Sequence, residues 1–384
     1  MQNRHTCLNK LILTILLYGL TGSLFSQQPG GDVQIRTVFD NLVMAYGNAK
    51  TVPQLIILSS KSGQIPPAKY YPDPKPTIKV DAFLFEICRA FLKDSLNALS
   101  IILSHELAHY YSDHTFCSDY AYVMKDRNKE LSKMLKTTSN EDLISKETEA
   151  DQKGLFFAAA AGYQPFEIQS TLLDQIYMQY QYPDNLPGYP TKQQRKTIAQ
   201  EAAERASQLY LTFKSGLAAM ETKEYDKAIA AFEEANSYIP FRENYNNMGV
   251  AKALKALGLK EPDDIEKQYP NRFLYPFEID NTSRLNNEVT RDLDEGIEHL
   301  TMLLKSAQRD FERAISLDPG YMKSYINLAC VFDLLDNPNA AIGKIKELSI
   351  KQQQSVNAQR ILAIAYFHNN QEAEANAIWK DLKM

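Results

Sequence analysis

Two stretches far apart in the chain carry the same side chains at the same offsets. In AIAAFEEANSYIP, Ala228, Phe232, Ala235 and Pro240 stand at spacings that return in AQRDFERAISLDP as Ala307, Phe311, Ala314 and Pro319. These offsets put the two alanines and the phenylalanine on one helical face, and the proline that follows stops the helix. The small position comes back at Ala341 and Ala375, so the steps 307 to 341 and 341 to 375 are both 34 residues. Ala329 and Ala363 share the 34-residue step, with Gly216 and Gly249 as earlier equivalents. A chain with this period folds as helical hairpins, each burying its apolar face on the next.

Thirty-four residues is the tetratricopeptide period. We expect an array of four such hairpins over 206–384, interrupted at about 258–300 by a Pro- and Asn-containing insertion with partial helix. Repeat arrays present an extended groove, so this half is expected to select a protein partner or substrate.

The chain ahead of the array reads differently. A helix is expected over 33–46, a strand in QLIILSS, and a second strand in TIKVDAF. Between them, Pro66, Pro67, Pro72, Pro74 and Pro76 hold an extended loop. Asp94 or Ser95 can cap the next helix, with Leu99, Ile102 and Leu103 on its buried side. Ser139 with Asp142 resembles a capping box for a helix closed by Gly162, and Pro165 can start another.

At 384 residues and 44% hydrophobic content the chain can build two cores. Its 42 basic and 47 acidic residues leave a net charge of -5 and no basic face, which excludes nucleic acid as a partner. Residues 1–26, with Arg4 and Lys10 ahead of an apolar stretch and Ser26 near its end, have signal-peptide layout. Export is therefore expected, to a periplasm or to the outside. Cys88, Cys117 and Cys330 beyond that segment are too few and too odd for a disulfide framework. No later run reaches the roughly eighteen apolar residues of a membrane span.

The chemistry-bearing run is ILSHELAHYYSDH, with His105, Glu106 and His109 on one helix. Residues four apart share a face, so His105 and His109 can point two imidazoles at one metal. Glu106, rotated by about one hundred degrees, lies beside that metal and can take a proton as general base. A catalytic zinc needs a third protein ligand. His114, five residues past His109, points about 140° away from it, and His299 and His368 lie in the array, so a carboxylate is the better candidate. In ETEAD, Glu147 and Asp151 are four apart on one face and Glu149 points largely the other way. One of the pair can ligate while the other holds an imidazole from behind. Periodicity does not say which.

HELAH, then Glu147-Thr-Glu-Ala-Asp151, then Ala161-Gly162-Tyr163-Gln164-Pro165 resembles the zinc metallopeptidase family of HtpX and the CAAX prenyl protease, with its HExxH, ExxAD and AGYxP signatures. The resemblance covers roughly residues 70–200. It implies a mostly α chain: a gluzincin-like α+β domain over 31–205, with a small sheet and active-site helices, followed by the α-helical repeat array. It also implies one zinc ion per chain, Glu147 as third ligand and Asp151 behind a ligand histidine. The family's His-Pro loop, with an arginine six residues on, stands here as Tyr189-Pro190 with Arg195. Tyr189 is thereby a candidate oxyanion donor in place of a zinc-capping imidazole, with a plain loop aromatic as the alternative.

The expected function is an exported zinc-dependent endopeptidase that hydrolyses envelope proteins in protein quality control. The alternative is a repeat-based scaffold or chaperone with a largely inactive zinc site. An intact Glu106 favours the enzyme, because a structural zinc needs no base. The strand near Thr77 to Asp81 is expected to offer an edge to which substrate adds as a strand.

Overall fold

The computed structural model describes residues 31–59, 65–114, 140–185, 191–281 and 297–384. The signal-peptide expectation, Ser139, Cys117 and Tyr189 fall outside the described residues. In chain order the first half holds α1 (Gly31–Tyr46), β1 (Gln54–Leu58), β2 (Ala68–Tyr71), β3 (Thr77–Asp81), α2 (Ala82–Arg89), α3 (Ser95–Tyr111), α4 (Asn140–Ala160) and α5 (Gln169–Gln179). The 30-residue helix α6 (Lys192–Glu221) leads into the repeats. Thr191 starts α6 with a capping box, its hydroxyl accepting from the Gln194 amide.

Strand order is β1-β3-β2. β1 pairs with β3 in parallel and β2 pairs with β3 antiparallel, with Tyr70 opposite Ile78. This corrects the expectation for Thr77 to Asp81: β3 is the central strand and both its edges are taken. β2, concealed in the Pro-rich segment, is the edge strand beside the helices.

α3 is the hub of this half. Its residues from Ala98 to Tyr110 are all buried, although Ser100, Ser104, His105, Glu106 and His109 are polar. A helix buried all round has no solvent face, so each of those polar groups must be matched inside the protein. α1 supplies one match: the Tyr46 hydroxyl donates to the Ser104 carbonyl at 2.9 Å, while its ring stacks on Tyr111 at 4.6 Å. Gly154 on α4 sets the approach of the two site helices. A Cβ there would lie 2.9 Å from the His105 amide nitrogen and 3.0 Å from its Cα.

The repeats continue as α7 (Tyr225–Tyr238), α8 (Arg242–Gly258), the short α9 (Asp264–Gln268), α10 (Ile297–Leu317), α11 (Met322–Leu334), α12 (Pro338–Lys346), α13 (Ile350–Gln353), α14 (Val356–His368) and α15 (Glu372–Asp381). The small first-helix positions have a steric reason. A Cβ on Gly216 would meet the Phe232 ring at 2.5 Å, and one on Gly249 would meet the Phe311 ring at 2.8 Å. The repeated phenylalanine therefore fills the space that the repeated small residue leaves.

One hydrophobic cluster runs from α1 through β3, α3 and α4 into the first repeats, joining Ile35, Ile78, Leu103, Phe156, Phe213 and Phe311. Phe156 of α4 packs on Phe241, just before α8, with ring centroids 4.8 Å apart. At the same junction Arg242 donates to the Met44 carbonyl of α1 and pairs with Asp318 after α10. A cut at residue 205 would end α6 in mid-helix and strip Phe156 of this cover. Cys88 and Cys330 are buried free thiols, and no helix among the described residues is long and apolar enough to cross a membrane.

Candidate metal centre

His105 and His109 lie one turn apart on α3, and Glu147 comes from α4. Their ligand atoms all fall within 4.8 Å of one another, a buried cluster able to hold a metal ion. The two Nε2 atoms are 3.1 Å apart. The Glu147 carboxylate spans them, with Oε2 at 3.3 Å from His105 Nε2 and Oε1 at 3.6 Å from His109 Nε2. Ligands held about 2.0–2.2 Å from a tetrahedral zinc stand about 3.3–3.6 Å from each other. The donor set and its spacing thus fit zinc, and two imidazoles with one carboxylate leave a fourth position for chemistry.

The electrostatics agree with ligation. Burial outweighs the neighbouring Glu147 carboxylate and holds His109 below the ordinary imidazole range, in the neutral form a metal requires. Burial pushes the Glu147 carboxyl up, but its close contacts with His109 and His105 more than offset this and hold it well below the usual range.

Each imidazole is gripped from behind. Asp151, one turn beyond Glu147, places Oδ1 2.9 Å from His105 Nδ1, and Arg195 of α6 donates to Asp151 Oδ2 at 3.1 Å. This divides the two carboxylates that periodicity left equivalent: Glu147 faces both Nε2 atoms and Asp151 faces Nδ1. Burial pushes the Asp151 carboxyl up, but Arg195 and the His105 hydrogen bond hold it below its usual value. A carboxylate accepting from Nδ1–H fixes the tautomer that aims a lone pair at the metal.

The grip on His109 was not legible from helical phase. α3 ends at Tyr111, and Asp113 adopts a left-handed φ of 57°, so the chain turns back instead of continuing around the helix. His114 returns, donating its amide to the His109 carbonyl at 2.9 Å, and its Nδ1 stands 2.9 Å from His109 Nδ1. Its Nε2 lies 3.3 Å from Oε2 of Glu149. A self-consistent assignment has His109 Nδ1–H donating to His114 Nδ1 and His114 Nε2–H donating to Glu149. That hydrogen bond, followed by the one from Lys153, brings the Glu149 carboxyl down to about 2, so it is anionic at neutral pH. His114 is therefore no ligand, but it is part of the centre. His114→Ala should weaken zinc binding by about 10-fold to 100-fold, the usual cost of losing such a partner, read by competition with a chromogenic chelator.

Glu106 points into the same interior. Its Oε2 accepts the Tyr70 amide of β2 at 2.7 Å, tying the edge strand to the centre. Glu106 and His109 have no exposed surface.

The whole defines a helical-repeat protein with a small mixed sheet and a buried two-histidine, one-carboxylate cluster. Residues 213–241, the end of α6 with α7, match the tetratricopeptide repeat family. No curated protein matches the chain.

Proposed function

We propose that the chain is a zinc-dependent endopeptidase, in which His105, His109 and Glu147 hold the metal and Glu106 is the general base. The observation that carries this reading is the placement of a second carboxylate, Glu106, beside a complete three-ligand set without belonging to it. A metal site that only stabilised the fold would have no use for that group. Zinc bound there supplies a Lewis acid that polarises a carbonyl and acidifies water.

The chain's own residues do the rest. Glu106 takes the proton of the attacking water and returns it to the departing amine, and the Tyr70 amide keeps its carboxylate aimed. Asp151 with Arg195, and His114 with Glu149, hold the two imidazoles in the ligating tautomer. Peptide access requires an opening of the chain around the buried centre. The repeats, as protein-binding modules, would choose which polypeptide is presented, and the signal-like residues 1–26 support an exported protein that acts on envelope proteins. Cleavage of casein by the wild-type protein, against Glu106→Gln at equal zinc content, tests the reading. Equal rates would remove the base, and no cleavage by either form would favour the scaffold.

A further inference from the structure

α3 closes with two overlapping backbone bonds. The Asp113 amide donates to the Tyr110 carbonyl at 3.3 Å, and the His114 amide donates to the His109 carbonyl at 2.9 Å. This pair of bonds is a common way to end a helix, and its left-handed residue is usually glycine, because a Cβ is disfavoured in that conformation. Here Asp113 takes the place, with φ 57° and its side chain in solvent. The cap also decides which side chains meet. It lays the residue after the left-handed one against the residue five before, and so brings His114 Nδ1 to 2.9 Å from His109 Nδ1.

Contacts from outside the helix do for this turn what a glycine would have done. Lys50, in the loop between α1 and β1, donates to the Tyr110 carbonyl at 3.1 Å and pairs with Asp113 Oδ1 at 2.5 Å. One ammonium thus holds both partners of the first capping bond, the accepting carbonyl and the left-handed residue. Its loop is fastened on either side of it: the Tyr111 hydroxyl donates to the Gly47 carbonyl at 3.1 Å, and the Tyr110 hydroxyl donates to the Thr51 carbonyl. Lys153 of α4 reaches the turn from the other side, donating to the Ser112 hydroxyl at 3.0 Å and to Glu149 Oε1 at 2.5 Å. Lys153 secures the flank, and Lys50 secures the left-handed residue itself. An ion pair with a partner 84% exposed contributes little to global stability. Its effect is local, on a backbone conformation that a residue with a Cβ leaves readily.

We propose that Lys50 is a positioning residue of the metal centre, which holds Asp113 left-handed so that His114 stays on His109 Nδ1 and His109 keeps the ligating tautomer. The inference rests on the zinc reading above and names the group that secures its His114 contact. It makes Asp113 the place where the dependence on Lys50 can be removed. Glycine at 113 adopts the left-handed conformation without steric cost and needs no lysine to hold it.

The test measures zinc affinity by chelator competition on full-length chains whose folding is checked by circular dichroism. Lys50→Met should weaken binding by about threefold to tenfold, less than the roughly 10-fold to 100-fold of losing a second-layer partner outright. Lys50→Met combined with Asp113→Gly should return to about the wild-type affinity, because the turn then holds itself. A lysine that only stabilised the fold would not be rescued by glycine at an exposed turn. Unchanged affinity in Lys50→Met, or a loss that Asp113→Gly does not restore, would overturn the proposal. Should Lys50→Met not fold, Asp113→Ala and Asp113→Gly decide: alanine alone should weaken binding, and equal affinity would overturn the proposal. If the wild-type protein takes up no zinc, the zinc reading fails, and imidazole nitrogen NMR of the metal-free protein decides the positioning. His114 should be bonded to His109 in the wild type and in the double variant and released in Lys50→Met, whereas one spectrum shared by all three would overturn the role of Lys50.

Discussion

Glu106→Gln should retain one zinc per chain and lose proteolysis by about 10²-fold to 10⁴-fold, the range that a positioned general base contributes. Glutamine keeps the shape of the side chain and an oxygen that still accepts the Tyr70 amide, the contact that now holds Glu106 Oε2 at 2.7 Å. What it lacks is the capacity to take a proton. Because Glu106 is not among the three clustered ligand residues, metal content is expected to stay unchanged. Metal analysis and casein hydrolysis on the same preparation check this, and loss of zinc in the variant would reassign Glu106 to the ligand set.

Glu147→Ala is expected to have the larger effect on the metal. Its carboxylate spans the two imidazoles at 3.3 and 3.6 Å, so its removal leaves two neutral nitrogens and no compensating charge. Losing a partner behind a ligand weakens metal binding about 10-fold to 100-fold, and losing the ligand itself should exceed that. Glu149→Ala is the control. Sequence phase expects no effect from it, but the contact from Glu149 to His114, 3.3 Å long, predicts a modest loss of at most about tenfold. Equal zinc affinity in the two variants, measured by competition, would dissolve the distinction between Glu147 and its neighbour.

The parts of this centre differ in how plainly they were written in the sequence. The i, i+4 histidines and the glutamate between them are fixed by helical geometry, and the structure keeps them on one buried helix. Whether Glu147 or Asp151 faces the ring edge was not legible, because both share a face. The answer lies in where α4 crosses α3, and Gly154, resting on the His105 backbone, was the available signal. His114 escaped because helix extrapolation assumes the helix continues, whereas Asp113 breaks it in the left-handed region without a glycine to announce it. β2 escaped because four residues, AKYY, carry too little alternation to stand out among prolines. The repeats were legible because the same alanine and phenylalanine positions recur on both sides of one long insertion, and residues 213–241 match the tetratricopeptide repeat family. The asparagine contacts to the main chain of Glu278 and Asp280 were not, although three asparagines within the first turns of α8 are poor helix formers that call for a reason.

In the proposed function, peptide hydrolysis depends on one zinc bound at this cluster. The most direct measurement strips the purified protein of metal with a chelator, removes the chelator, and follows casein cleavage as zinc is added back. The rate should climb in proportion to zinc and level off at one equivalent per chain, with Glu106→Gln taking up the same equivalent and staying inactive. Full zinc uptake by the wild-type protein with no cleavage, or cleavage that does not change with zinc, would contradict the proposed function.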